Sequence, residues 1–240
     1  DARAHIYYFL TIFYLLDFFI AKKSLLTFQK ISLVCLFTFL IKPFYIISLL
    51  IPLIVFLMIR KNFIIIKSKF FIFSFFFIFF WLLKNILISG CLIYPIKSTC
   101  YAKLHWYDDD TKTKSISGEA WAKGWPKRFQ KNISMEEFNK DFNWIPSWSK
   151  SHLLVIIEKL LPIFIFILVN ILFLFFTRCL KKNIYNPLNK FFFLILLINF
   201  FSALLWFTKF PIYRYGLSYI YIFLTSLLYF VYIKYIDFNK

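Results

Sequence analysis

Two cations and two tyrosines lie close together in the stretch 206 to 216, which reads WFTKFPIYRYG. Arg214, Lys209 and Tyr213 carry donors that suit a phosphate, because a guanidinium binds phosphate through two parallel hydrogen bonds and an ammonium adds a point charge. The stretch therefore predicts a phosphate-binding turn between two apolar segments. The alternative is an arginine that contacts an ordinary lipid phosphate or a neighbouring carbonyl.

A second polar group lies in the stretch 84 to 95, which reads KNILISGCLIYP. Lys84 and Asn85 could face a polar ligand at a membrane boundary, where the Ser-Gly pair that follows ends a helix and the Tyr-Pro pair extends the chain. Plain helix termination explains the same residues. We therefore treat Lys84 as a second candidate for ligand binding.

Metal and nucleophile chemistry has little support in the sequence. The acidic run 108 to 110 offers hard oxygen ligands for a divalent cation, although consecutive acids in an exposed loop are more often solvated. There is no Cys-x-x-Cys pair, no Ser/His/Asp set and no glycine-rich phosphate loop, and the three histidines are scattered at His5, His105 and His152. We expect no resident metal site and no firm cofactor, with a divalent cation left open.

Amino-acid composition predicts the kind of fold that carries these residues. Of the 240 residues, 61% are hydrophobic, 17% are charged and 36 are Phe, and the mean hydropathy is +0.73. A soluble domain is usually about 45–50% apolar, so lipid is the expected solvent and the expected fold is an all-α polytopic bundle. The net charge of +18 then indicates cytoplasmic loops rather than a nucleic-acid partner.

Membrane spans need about 20 apolar residues, and six segments qualify. One of them is too long for an ordinary span and carries Lys42-Pro43 near its middle, so it is either one kinked span or a tight hairpin. The six are 5 to 21, 31 to 59, 70 to 88, 153 to 177, 191 to 208 and 216 to 233.

The orientation follows from the basic residues. Only a hairpin at Lys42-Pro43 places every basic connection on one side, as the positive-inside rule favours. We therefore expect about seven passes, a short first hairpin arm, an outer amino terminus and a cytoplasmic carboxy terminus in a bacterial inner membrane. The basic connections are 22 to 30, 60 to 69, 178 to 190 and the carboxy-terminal tail.

The polar insert 89 to 152 divides the chain into two sets of spans, 1 to 88 and 153 to 240. It holds seven of the eleven acids and five of the seven tryptophans. Trp121 and Trp125 lie four residues apart, which predicts a short interfacial helix over 117 to 129. Cys91 and Cys100 share this loop and could form a disulfide if it faces an oxidising compartment.

Several of these patches together resemble a known family. Lys84-Asn85, Ser89-Gly90 and Tyr94-Pro95, the stretch 211 to 216 and the segment 31 to 52 resemble motifs of the C-type, lipid-linked-sugar glycosyltransferases of the dolichyl-phosphate-mannose protein mannosyltransferase kind. Asp1 before an apolar helix is similar to their helix start. The chain departs from the pattern at Gly90-Cys91-Leu92, where Gly-Asn-Pro is common.

The resemblance implies a hexosyltransferase that moves a sugar from a polyprenyl-phosphate carrier to an acceptor on the outer face. It implies that Arg214, and less directly Lys84, contacts the donor phosphate. It also implies a catalytic carboxylate upstream of residue 1, so that we expect a carboxy-terminal piece that is inactive alone. The expected partners are the lipid-linked donor and membrane lipids.

Two other functions fit the same composition. A transporter or flippase of lipid-linked glycans would need charges deep in the bundle, for which Asp17, Lys84 and Glu158 are the candidates. A noncatalytic membrane protein would use the insert to bind a partner.

Overall fold

The computed structural model describes residues 2–20, 24–59, 69–94, 96–107, 110–129, 131–177 and 187–235. These residues form helices, turns and one isolated bridge between Cys91 and Cys100. The all-α fold predicted from composition is confirmed. The α-helices are α1 (Ala2–Ile20), α2 (Leu25–Ile41), α3 (Leu50–Met58), α4 (Lys69–Ser89), α5 (Thr111–Ala122), α6 (Met135–Asn139), α7 (Ile145–Trp148), α8 (Leu154–Thr177), α9 (Pro187–Lys209) and α10 (Tyr213–Tyr235).

Four helical stretches in the described ranges are long and apolar enough to cross a membrane. They are α1, the stretch 72 to 89 of α4, the continuous stretch Ile145–Phe173 and α9. Two shorter apolar helices, Leu25–Ile41 and Pro43–Met58, accompany them. The chain is therefore a helical membrane protein. Most of the basic connections on which the predicted orientation depends, and Cys179 with them, lie outside the described residues.

The chain divides into two compact units. The bundle unit comprises residues 1–59, 154–208 and 213–240, and the insert unit comprises residues 60–153 and 209–212. The insert unit thus includes α4 in addition to the polar insert predicted over 89 to 152.

The bundle unit begins with an antiparallel pair, α1 and α2. Thr27 donates to Asp17 at 3.4 Å, and the ammonium of Lys30 lies 5.5 Å from the ring centroid of Tyr14. The second helix begins at Leu25, before the predicted boundary at residue 31, because the Ser24 side chain caps it by accepting a hydrogen bond from the Thr27 amide.

The chain reverses direction at Lys42. This residue has an extended backbone (φ −145°, ψ 100°), as expected before a proline. A 3-10 helix over Pro43–Leu49 and then α3 run back along α2, so that the Cys35 thiol lies 2.9 Å from the Ser48 carbonyl and Phe28 contacts Phe56. The segment 31 to 59 is therefore part of a hairpin whose first arm is a 17-residue helix rather than the short arm expected.

Four buried polar side chains in the bundle unit donate to a carbonyl of their own helix. Thr11, Thr38, Asn199 and Ser202 each donate to the carbonyl four residues earlier, at 2.8–2.9 Å. Lipid supplies no hydrogen-bond partner, so each polar group must find one within the protein. The four hydrogen bonds provide such a partner within the helix itself.

In the insert unit, a closed turn follows α4. Gly90 has a positive φ of 71°, and Asn85 donates to the Leu92 carbonyl at 3.0 Å. Cys91 and Cys100 form a disulfide, a pairing that the sequence had left open. Asn85 therefore closes the turn, in agreement with helix termination for the stretch 84 to 95.

The tryptophans at 121 and 125 do not share a helix. Helix α5 ends at Ala122, and Gly124, with φ +89°, turns the chain into a 3-10 turn over Trp125–Lys127. Trp121 stays exposed on α5, whereas Trp125 packs edge-on against Phe138. The interfacial helix predicted over 117 to 129 is wrong, because its four-residue spacing spans a glycine that ends the helix.

Candidate anion-binding site

Two cations of the bundle unit meet at one tyrosine ring. The Lys42 Nζ lies 3.5 Å from the ring centroid of Tyr215, and the Arg214 guanidinium carbon lies 5.1 Å from the same centroid. Arg214 also donates from a terminal nitrogen to the Tyr215 hydroxyl at 3.3 Å. The ring thus holds two positive side chains that are 172 positions apart in the sequence.

The chain positions these residues at two helix ends. Lys42 follows the last residue of α2, where Pro43 forces the backbone out of the helix. Arg214 and Tyr215 lie in the first turn of α10 rather than in the predicted turn between spans, because only residues 210 to 212 separate α9 from α10. A helix amino end carries the positive end of the helix dipole, which adds to the attraction for an anion.

Gly216 lies within α10 and allows close helix packing, whereas a glycine at this point of the sequence suggested a turn. A methyl group added at its Cα would lie 2.5 Å from ring atoms of Trp206. The absence of a side chain therefore lets the start of α10 approach the indole on α9. This contact fixes the helical turn that carries Arg214.

A buried polar cluster lies directly behind the two cations. His5 contacts the Arg214 carbonyl through Nε2 at 2.6 Å, and its Nδ1 lies 2.6 Å from the Tyr45 hydroxyl and 3.1 Å from that of Ser218. A carbonyl only accepts, so Nε2 donates and, in the neutral ring, Nδ1 accepts from a hydroxyl. The cluster connects α1, the hairpin and α10 at Arg214, whose side chain contacts the Tyr215 ring.

The charges at this site repel each other. Lys42 lies in the turn, outside both helical arms, and burial, with a smaller effect of the nearby Arg214 charge, lowers the pKa of its ammonium to about 8. An anion bound between the two cations would relieve this repulsion and favour the charged form of Lys42. The arrangement is therefore suited to a phosphate group.

The other predicted site residues lie elsewhere in the structure. Tyr213 contacts the Tyr221 hydroxyl at 3.1 Å, and Tyr221 donates to the Lys159 carbonyl, which links α10 to α8. In the insert unit, Lys84 lies exposed on α4, and Lys209 lies 3.5 Å from the carboxylate of Glu119. We therefore restrict the site to Lys42, Arg214 and Tyr215.

The ion pair that Lys209 joins has a buried partner that the sequence did not single out. Lys123 is only 2% exposed, and its ammonium lies 2.6 Å from Glu119 and 5.0 Å from the ring centroid of Trp144. Burial lowers the pKa of Lys123, and the contact with Glu119 opposes that effect. Glu119 thus holds two lysines of the insert unit in place.

Sequence reasoning placed Lys42 at a kink or hairpin turn but did not pair it with Arg214, and it treated His5 as one of three scattered histidines. A proline directly after a lysine within an apolar run is the signal that places Lys42 at a turn. Of the acidic run, Asp108 and Asp109 lie outside the described residues. Among the described residues there is no group of three or more His, Cys, Asp or Glu side chains that could hold a metal.

The comparisons with known proteins give a family but no activity. The family model described as a domain of unknown function (DUF8201) matches residues 1–221. No curated protein and no solved structure matches the chain.

Proposed function

The chain belongs to the DUF8201 family, and we propose that it is a membrane glycosyltransferase-like protein that binds the phosphate of a polyprenyl-linked sugar. The two cations at Tyr215 carry the proposal. They lie at one end of the bundle unit, where apolar helices can hold a polyprenyl chain and the cations can hold its phosphate. The resemblance of the segments around Lys42 and Arg214 to lipid-linked-sugar transferases supports the same ligand class.

The chemistry of sugar transfer explains why two cations are useful. The bond between the anomeric carbon and the phosphate oxygen breaks, an acceptor oxygen bonds to that carbon and loses its proton, and the polyprenyl phosphate leaves with one more negative charge. Positioned cations stabilise charge that develops on a leaving group. Lys42 and Arg214 would do so here, while no catalytic base is assigned to a described residue.

The disulfide supports the proposed sidedness. Disulfides persist in oxidising compartments such as the bacterial periplasm. The pair Cys91–Cys100 therefore favours an insert on the outer face of a bacterial inner membrane and a cytoplasmic carboxy terminus.

The test is binding of polyprenyl monophosphate to the full chain in lipid nanodiscs, measured by native mass spectrometry. Arg214→Ala and Lys42→Ala should each weaken binding about tenfold or more, since a charge-assisted hydrogen bond contributes about 1.5–3 kcal/mol. Lys30→Ala is the matched control, because Lys30 also lies over a tyrosine ring of the same unit but belongs to the α1–α2 pair.

Phosphatidic acid is the comparison ligand that distinguishes a site for polyprenyl phosphate from a site for any lipid phosphate. The proposal expects polyprenyl monophosphate to bind at least about tenfold more tightly than phosphatidic acid, a difference of 1.4 kcal/mol. Equal binding of the two lipids would mean a general lipid-phosphate contact. Binding that survives both alanine substitutions would overturn the assignment of the site.

A further inference from the structure

The insert unit contains a cavity whose lining includes neither Lys42 nor Arg214. Its volume is about 560 Å³, within the range of about 300–1,000 Å³ that is usual for small-molecule sites. Its lining mixes aromatic, charged and amide side chains, including Arg128, Phe129, Glu137, Phe138, Asn143 and Ser147.

Two residues that line the cavity, Arg128 and Phe138, pack against the ring of Trp125. The Arg128 guanidinium carbon lies 4.1 Å from the ring centroid of Trp125, and that ring packs edge-on against Phe138, which is 2% exposed. Arg128 donates to the carbonyls of Trp125 and Lys131 at 3.3 and 3.4 Å. Its orientation is therefore set before any ligand arrives, and its buried Nε has no hydrogen-bond partner among the described residues.

Other residues that line the cavity are exposed. Phe129 is 66% exposed, so its apolar ring would gain free energy if a ligand covered it. Asn143 donates to the backbone carbonyl of Glu137 at 3.2 Å, and both residues line the cavity. A second hollow of about 600 Å³ shares Ile133 and Glu137 with the first, so the polar surface continues beyond a single cavity.

We propose that this cavity binds sugar rings of the acceptor glycan. A sugar presents apolar C–H faces that pack on aromatic rings and hydroxyls that pair with amide, carboxylate and guanidinium groups, and the cavity offers all of these. Phe129 provides the exposed ring, and Glu137, Asn143 and Arg128 provide the polar groups. The continuation into the second hollow suits a linear chain of sugars rather than one ring.

This inference deepens the proposed function, because a sugar transferase needs an acceptor site besides its donor site. It stands on different residues from the donor site, since the cavity lies in the insert unit and the two cations lie in the bundle unit. The two proposals can therefore fail separately.

The test titrates the full chain in nanodiscs with linear tetrasaccharides of glucose, mannose, galactose and N-acetylglucosamine, and detects binding by saturation-transfer NMR. At least one tetrasaccharide should bind, and Phe129→Ala and Asn143→Ala should each raise its Kd about fivefold or more. Trp121→Ala is the matched control, because Trp121 is also exposed in the insert unit but does not line the cavity. Its Kd should stay within about twofold of the unmodified chain.

The same samples are measured with polyprenyl monophosphate. Phe129→Ala should leave that binding unchanged, which shows that the variant is folded and that the two sites are separate. If none of the tetrasaccharides binds, or if Phe129→Ala and Asn143→Ala weaken binding no more than Trp121→Ala does, the acceptor site is wrong. If the unmodified chain does not bind polyprenyl monophosphate, that result contradicts the donor proposal alone.

Discussion

The ammonium of Lys42, at the end of α2, lies 3.5 Å from the ring centroid of Tyr215, in the first turn of α10. A cation over an aromatic ring is attracted by the negative face of the ring, and the contact contributes about 0.5–1 kcal/mol at an exposed site. Arg214 approaches the same ring at 5.1 Å. The tyrosine therefore holds together two charges that would otherwise separate.

The first prediction concerns this ring. Tyr215→Leu should weaken binding of polyprenyl monophosphate about two- to fivefold, because Lys42 loses the cation–π contact that holds it beside Arg214. Tyr215→Phe keeps the ring and should stay within about twofold of the unmodified chain. Native mass spectrometry in nanodiscs measures both, and equal losses in the two variants would show that the hydroxyl rather than the ring is needed.

The second prediction is the pH dependence of binding. The pKa of Lys42 is lowered to about 8, so the free site loses this charge as the pH rises through that value. A bound phosphate raises the pKa again, and affinity should therefore fall above about pH 8, by at most about tenfold per pH unit. The charged or titratable neighbours are Arg214 and Tyr215 on α10 and His5 on α1.

Lys42→Arg provides the control for this pH dependence. A guanidinium stays charged at every pH used, so binding to this variant should stay level between about pH 7 and 9. The measurement is titration of the nanodisc samples across that range. The same decline in both proteins would assign it to a group other than Lys42.

The third prediction uses the disulfide. Among the four cysteines, Cys91 and Cys100 are paired and Cys35 is a free buried thiol. After denaturation without reductant, a maleimide should label Cys35 but not Cys91 or Cys100, and after reduction it should label all three, as peptide mapping by mass spectrometry measures. Labelling of Cys91 and Cys100 without reductant would contradict the pairing.

The same disulfide predicts a change in stability. Replacing Cys91 and Cys100 together by serine should cost about 2–3 kcal/mol in the free energy of unfolding of the insert unit, because a closed loop of nine residues restricts the unfolded chain. Limited proteolysis of the insert measures the loss. Cleavage at an unchanged rate would show that the loop is held by its hydrogen bonds alone.

The fourth prediction compares two glycines. A methyl group at Gly216 would lie 2.5 Å from the Trp206 ring, so Gly216→Ala should lower the stability of the bundle unit by about 1–3 kcal/mol. Gly118 lies within α5 with nothing within 4 Å of an added methyl, and Gly118→Ala should instead stabilise α5 by about 0.5–1 kcal/mol. Thermal unfolding in detergent measures the stability of both variants. A stability change of the same sign in the two variants would contradict the prediction.

Composition and local sequence are enough to establish the lipid solvent, the fold class and several local features of this protein. An apolar fraction of 61% requires a lipid environment, and a proline after Lys42 requires a break in the helix. The positions of α8, α9 and α10 agree with the predicted segments within four residues at each end. These features depend on neighbouring residues along the chain, which a sequence displays directly.

The pairs of side chains that contact each other depend on the packing of the helices. In a helix that is apolar on every side, hydrophobic periodicity does not identify the buried face, so nothing in the pattern paired Lys42 with Arg214 or placed His5 behind them. Lys209 was expected beside Arg214 but contacts Glu119, 90 positions earlier in the chain. Which neighbour a long side chain reaches depends on how the helices pack, and that packing is a property of distant segments together.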